Sequence, residues 1–355
     1  MPIDLLGLTA ELVAVASVSR AEGQLSDRIE AELRSMAHLD VTRVGDNVVG
    51  RTTLGRDQRL ILAGHVDTVP PNDNDMPRLE GDRLYGLGAS DMKGGLAVML
   101  ETARAVAEAA VDVTFVFYAR EEVAASESGL LELWEARPDL LEADVALLGE
   151  PTAGVLEAGC QGTLRLRVVL LGERAHTARP WQGRNAIHRL GGLLCAIEAY
   201  EPRRPVLQGC AFREALQVVF VEGGVAGNVV PDRVELWINH RFAPDRSPAE
   251  AEAGVRALLA PFLDDRDSVE LADVAPGAAP ALDHPLLAAL VERNHLAVEA
   301  KLGWTDVARF AAHGVPAANF GPGDALVAHT AEEYLERATL DAVFAATLDL
   351  VLTGA

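Results

Sequence analysis

Three apolar runs in this sequence stop abruptly on ionisable residues, histidine or acid among them, and that repetition constrains the fold more than any other feature. Residues 59–70 read RLILAGHVDTVP, residues 113–122 read VTFVFYAREE and residues 145–152 read VALLGEPT. Continuous runs of apolar, β-branched and aromatic residues suit strands buried on both faces. Before the first run Leu25, Ile29, Leu33 and Met36, and between the first two Leu96, Leu100, Ala103 and Ala107, recur at helical spacing. Strands alternating with helices predict an α/β layer fold with a mostly parallel sheet. Ligands of such sheets bind outside the carboxyl ends of the strands. His65, Glu121, Glu122 and Glu150 all fall at those ends.

The pattern changes after Gly159. Residues 163–171 read as a strand, 186–200 as a helix, 216–221 and 233–242 as strands, 248–263 as a helix and 268–274 as a last strand. The order β-α-β-β-α-β is ferredoxin-like and can fold by itself. A Pro/Gly/Ala stretch, 275–281, follows as a linker, and then the helix–strand alternation resumes. The expected organisation is a catalytic domain of residues 1–160 and 278–355 with a smaller domain, 161–277, inserted into it.

Composition removes several function classes. Acidic residues outnumber basic ones 53 to 31, for a formal charge of −22, which repels phosphate backbones and anionic membranes. Neither nucleic acid nor a membrane is an expected partner. No apolar run approaches the roughly 18 residues of a membrane span. The first helix carries Asp4 and Glu11 and has no basic leader, so a cytoplasmic protein is expected. Cys160, Cys195 and Cys210 are odd in number and show no Cys-x-x-Cys spacing, which indicates neither a disulfide framework nor a cysteine metal site.

In an extended chain His65 and Asp67 project to the same side. A carboxylate beside an imidazole can fix the tautomer and orientation that a metal-ligating histidine needs. Each position also has a plainer reading. His65 can be a strand-end histidine bonded to a loop, Glu121 and Glu122 can favour the start of a following helix, Asp91 can cap the next helix, and Glu150-Pro151 can be a turn. Independent plain readings would not gather so many potential ligands at one sheet edge, and His329 joins them in the loop after the last expected strand. Two histidines with several carboxylates make a mixed nitrogen and oxygen set of the kind zinc accepts. Asp91, using both oxygens, can bridge two ions at the ~3.5–4 Å separation of two-metal hydrolases.

The blocks GHVDTVP, YGLGASDMKGGLA, AREEVA, LLGEPT, GERAHTARP, GNVVPD, INHRF, GWTDVARF and NFGPGDALVAHT occur in the order found in the dinuclear zinc amidohydrolases, a family that includes aminoacylases, N-acetylornithine deacetylase and glutamate carboxypeptidases. The chain resembles that family over nearly its whole length. The resemblance implies two zinc ions per subunit, with cobalt or manganese as substitutes. It makes His65 and Glu150 ligands of one ion, Glu122 and His329 ligands of the other, and Asp91 the bridge. Asp67 then supports His65, Glu121 is the general base, and the Asp91-Met92 peptide is cis. By the same resemblance His176 reaches a partner subunit's site and steadies the tetrahedral intermediate, which implies a homodimer through the inserted domain. Asn228, Arg241 and, more loosely, Thr305 match substrate-binding positions, Arg241 being suited by its fork to a succinyl carboxylate. The implied substrate is a small N-acyl amino acid, with N-succinyl-LL-2,6-diaminopimelate ahead of N-acetylornithine or a dipeptide; a non-catalytic binder would not need Glu121. Cys160-Gln161 and Gly323-Asp324 depart from the family pattern near the acyl group. The remaining histidines match no ligand and read as structural or surface residues.

Overall fold

In the computed structural model, which describes residues 4–355, helix α1 (Leu5–Val13) starts where the Asp4 carboxylate accepts the Gly7 N–H at 3.1 Å. That contact satisfies one of the orphan donors of a first helical turn. Helix α2 (Gly23–Arg34) buries Leu25, Ile29 and Leu33 along one face, as an amphipathic helix must. Residues 40–51 form a hairpin of β1 (Asp40–Val44) and β2 (Asn47–Arg51). Gly45 turns the chain there at a φ of 56°, a region glycine enters without steric cost.

The chain continues through β3 (Arg59–His65), β4 (Arg78–Glu80), β5 (Arg83–Tyr85), α3 (Gly94–Ala105), β6 (Asp112–Tyr118), α4 (Gly129–Ala136), β7 (Val145–Leu148) and β8 (Leu156–Cys160). Every residue of β6 is buried, as its unbroken apolar run requires.

Residues 159–280 and 300–308 form a compact unit of their own. It contains β9 (Gly162–Leu171), α5 (Leu190–Glu198), a hairpin of β10 (Val206–Leu207) and β11 (Cys210–Ala211), β12 (Ala215–Gly223), β13 (Arg233–Phe242), α6 (Pro248–Leu259) and β14 (Ser268–Ala275). The four long strands make an antiparallel sheet in the order β12-β13-β9-β14, which with the two helices is the ferredoxin-like arrangement. On β13, Val234, Leu236, Ile238, His240 and Phe242 are buried and alternate with more exposed residues, so one face packs a core and the other meets solvent. Helix α5 is shorter than its periodicity suggests, because the Asn185 side chain accepts the N–H groups of Ile187 and His188 and forms a separate turn before it. Helix α6 starts with a reciprocal capping box between Ser247 and Glu250. Residues 300–308 group with this unit although they lie beyond the linker.

The chain then supplies α7 (Pro285–Asn294), β15 (Val298–Lys301), α8 (Val307–Ala312), β16 (Ala317–Asn319), β17 (Tyr334–Glu336) and α9 (Arg337–Thr353). An eight-stranded sheet runs β1-β2-β6-β3-β7-β16-β8-β15. Its middle pairs, β6 with β3, β3 with β7 and β7 with β16, are parallel, whereas β1 with β2, β2 with β6 and β16 with β8 are antiparallel. The sheet is therefore mixed, with a parallel centre. Leu60, Leu62, Leu96, Leu100, Phe115, Leu147 and Leu340 lie in its core. Because β3, β6, β7 and β16 point the same way, the segments that leave them emerge at one edge.

Candidate metal centre

His65 closes β3 and is 1% exposed. Its Nδ1 lies 3.0 Å from the main-chain oxygen of Asp67. A carbonyl only accepts, so Nδ1 carries a proton, and Nε2 is turned toward the cluster. Nε2 is 3.1 Å from Oδ1 of Asp91. Asp91 sits in the bend between Gly88 and α3, where the Asp91-Met92 peptide is cis. The bend is held from the far end of the chain, since Oε1 of Glu333 accepts the N–H groups of Ser90 and Asp91 at 2.9 and 3.0 Å.

The other oxygen of Asp91 faces His329, with Oδ2 3.5 Å from its Nε2. That nitrogen is also 2.8 Å from Oε1 of Glu122. Glu121 and Glu122 lie on the turn that leaves β6, and Glu150 follows β7 by two residues. Ligand-type atoms of His65, Asp91 and Glu150 fall within 4.8 Å of one another, and so do those of Asp91, Glu122 and His329 and those of His65, Glu121 and Glu122. Six residues singled out in the sequence thus meet, and Asp91 belongs to two of the groups.

The electrostatics show what this cluster is suited to hold. Burial opposes charging of His65, yet the Asp91 hydrogen bond and the charges of Asp91, Glu150 and Asp67 hold its pKa well above the usual histidine value. Burial likewise opposes ionisation of Asp91, but bonds from His329 and His65 keep its carboxyl well below the usual range. Asp91 and Glu122 push His329 up to about 10, against a smaller effect of burial. So much negative potential around two nitrogens draws in a cation. A divalent metal satisfies the same lone pairs in place of protons, and imidazole nitrogen with carboxylate oxygen is a donor set that zinc and its neighbours accept. The residues present fit a metal centre.

His176, Asn228, Arg241 and Thr305 belong to the second unit. His176 bridges to Val229, beside Asn228, and its Nδ1 accepts the Ala178 N–H at 3.1 Å. Arg241, on β13, lines a cavity of ≈ 780 Å³ with Gln161, Tyr200, Gln217 and Leu302. Burial, and then the charge of Arg165, push its guanidinium below the usual arginine value. Thr305 is buried at 5% exposure. Sequence reasoning did not reach Glu333 or Ser19, which contact the cluster's supports; a lone serine and a glutamate in an acidic stretch carry no local signal.

A sheet edge that gathers two imidazoles and several carboxylates is the equipment of a metal-dependent hydrolase. The chain belongs to peptidase family M20/M25/M40, whose family model matches residues 61–353. It is 49% identical, over 93% of both chains, to a protein of Mycobacterium tuberculosis described as a putative succinyl-diaminopimelate desuccinylase. It is 44% identical, over 93% of this chain and 92% of the other, to the succinyl-diaminopimelate desuccinylase of Corynebacterium glutamicum. Among solved structures, a tripeptidase of Staphylococcus aureus shares the fold at a TM-score of 0.78 and 22% identity, covering 98% of this chain and 96% of its own.

Proposed function

We propose that this protein hydrolyses the amide bond of N-succinyl-LL-2,6-diaminopimelate, giving succinate and LL-2,6-diaminopimelate in the cytoplasm. The observation that carries the chemistry is Asp91, whose two oxygens face two different histidines. The 49% and 44% identical relatives, both described as desuccinylases, support the substrate.

In this reading His65 and Glu150 hold one zinc ion, Glu122 and His329 hold a second, and Asp91 is shared, with cobalt or manganese as substitutes. Metal held there supplies Lewis-acid polarisation of the scissile carbonyl and acidifies the attacking water. Glu121 is the proton carrier: it takes the water's proton during attack and returns it to the departing amine. His176 is suited to an oxyanion, because Nδ1 accepts a main-chain N–H and the neutral ring then has its proton on Nε2 to donate. Arg241 offers its fork to a substrate carboxylate, which would relieve the strain of burying a guanidinium beside Arg165. Asn228 and Thr305 complete the substrate contacts.

A homodimer through the second unit is part of the proposal. Strand β12 is an edge of its sheet, and Val219, Phe220 and Val221 on it are exposed at 60%, 48% and 47%. Apolar edges of this kind are usually paired or covered, and a second copy of β12 would pair this one.

The test is an assay of metal-loaded and chelated protein on N-succinyl-LL-2,6-diaminopimelate, N-acetylornithine and simple dipeptides. Succinate release that requires metal is expected. Selective turnover of acetylornithine or a dipeptide would overturn the substrate assignment.

A further inference from the structure

The turn that carries Glu121 and Glu122 is built on a buried carboxylate that the presumed ligand set does not use. Asp67 is 1% exposed, and three donors converge on it. Oδ1 accepts the Glu121 N–H at 2.9 Å, Oδ2 accepts the Glu122 N–H at 3.0 Å, and Oδ2 also accepts the Ser19 hydroxyl at 2.7 Å. The His65 ring is a poorer partner: Nδ1 stands 3.6 Å from Oδ1 but 3.0 Å from the Asp67 main-chain oxygen. A separation of 3.6 Å is outside hydrogen-bonding range, and the single Nδ1 proton is already directed at the nearer carbonyl.

We propose that Asp67 is a positioning residue for the Glu121-Glu122 turn, and that Ser19 completes this role by fixing the carboxylate that holds it. The proposal rests on the reading of Glu121 as proton carrier. One carboxylate accepting two consecutive N–H groups orients two peptide planes together, and so sets where two adjacent side chains leave the main chain. Charge-assisted bonds of this type are shorter and stronger than neutral ones. They matter here because a misplacement of about 1 Å can cost on the order of 100-fold in rate.

The surrounding contacts brace the same turn. Ser19 is tied to the segment after β3, its N–H bonding to the Thr68 carbonyl at 3.0 Å while the Thr68 N–H bonds to Ser17 at 2.9 Å. Arg20, the next residue, forks onto Glu127 at 2.7 and 2.8 Å. From inside the turn, Arg120, at a φ of 61°, donates to the Glu127 carbonyl at 2.7 Å and to Glu132 at 2.6 Å. Glu132 also accepts from the Asn47 amide at 2.9 Å, and the oxygen of that amide accepts the Ala119 N–H at 2.9 Å. The turn is therefore gripped on both sides, and Asp67 is the grip that touches Glu121 and Glu122 themselves.

Hydrogen–deuterium exchange on the full-length protein, read in peptides that cover residues 118–123, measures those amides without any need for activity. Asp67→Asn keeps the side chain's size but sets an NH₂ group against one of the two N–H donors. Exchange at Glu121 and Glu122 should quicken by about 10-fold or more while β6 is unchanged. Ser19→Ala, which touches neither ligand nor base, should lower kcat by about 5- to 10-fold with KM and metal content unchanged, and Ser19→Thr should restore it. Unchanged exchange in Asp67→Asn, or a Ser19→Ala defect that added metal repairs, would overturn the proposal and return Asp67 to the support of His65. Wild-type protein that releases no succinate, with amides that still respond to Asp67→Asn, would sink the functional reading and support the positioning one.

Discussion

Nε2 of His329 lies 2.8 Å from Oε1 of Glu122 across 207 positions of sequence. The pair joins the turn after β6 to the loop after β16, and Asp91 links it to His65. Removing a member of this chain of contacts should therefore act on metal binding first. Asp91→Asn is expected to lower metal affinity by at least 10- to 100-fold, the range found even for groups one step behind a ligand. Metal content after dialysis checks this; full retention by Asp91→Asn would remove Asp91 from the centre.

Glu121→Gln separates proton transfer from metal binding. The amide keeps the shape of the side chain but takes up no proton. A fall in kcat of about 10²- to 10⁴-fold is expected, with metal content equal to that of the parent. A variant that keeps most of its turnover would show that Glu121 is not the proton carrier.

Gly95 opens the path for α3 to cross the end of β7. A Cβ on it would stand 2.4 Å from the Gly149 carbonyl oxygen and 3.0 Å from the Met92 methyl carbon. The first contact is with main chain and cannot swing aside. Gly95→Ala should cost about 1–3 kcal/mol in urea unfolding, and because Gly149 precedes Glu150 it should weaken metal retention as well.

Acid should destabilise the second unit through His240. Its Nδ1 is 2.9 Å from the Ala215 carbonyl and its Nε2 is 2.8 Å from Arg246, so Nε2 is an acceptor and the ring is neutral. Burial, reinforced by the Arg246 charge, holds its pKa below 6.5 despite the Ala215 bond and the Glu214 charge. The folded state then binds fewer protons than the unfolded chain in mild acid. The stability from this group is whole above pH 6.5 and falls as pH drops through 6.5 toward the folded value, by at most about 1.4 kcal/mol per pH unit. Urea midpoints for His240→Gln should show a shallower decline between pH 6.5 and 5.

The exposed edge of β12 makes a prediction about assembly. A charge in the middle of an apolar edge opposes strand pairing. Phe220→Lys should convert a dimer into a 37.7 kDa monomer, as judged by light scattering. Unchanged mass would place the contact elsewhere.

The sequence by itself determined the buried strands, the helices between them and the ferredoxin-like unit, because the spacing of apolar residues decides which face of a segment is buried. It also exposed His65, Glu121, Glu122 and Glu150, since an abrupt change from apolar to ionisable residues at a strand's end is a local signal. Tertiary structure alone decided the rest. Parallel pairing joins β6, β3, β7 and β16 at the sheet's centre, while β2 meets β6, and β8 meets β16, running the opposite way, because strand direction depends on partners far along the chain. The grouping of residues 300–308 with the second unit lies beyond any composition boundary. Alternation put Asp67 beside His65, but it could not say which atoms meet. The main-chain oxygen took the imidazole, and the carboxylate took two N–H groups from a turn more than fifty residues away and a hydroxyl from Ser19. Periodicity is a property of one segment; the choice of hydrogen-bond partner belongs to segments that only the folded chain brings together.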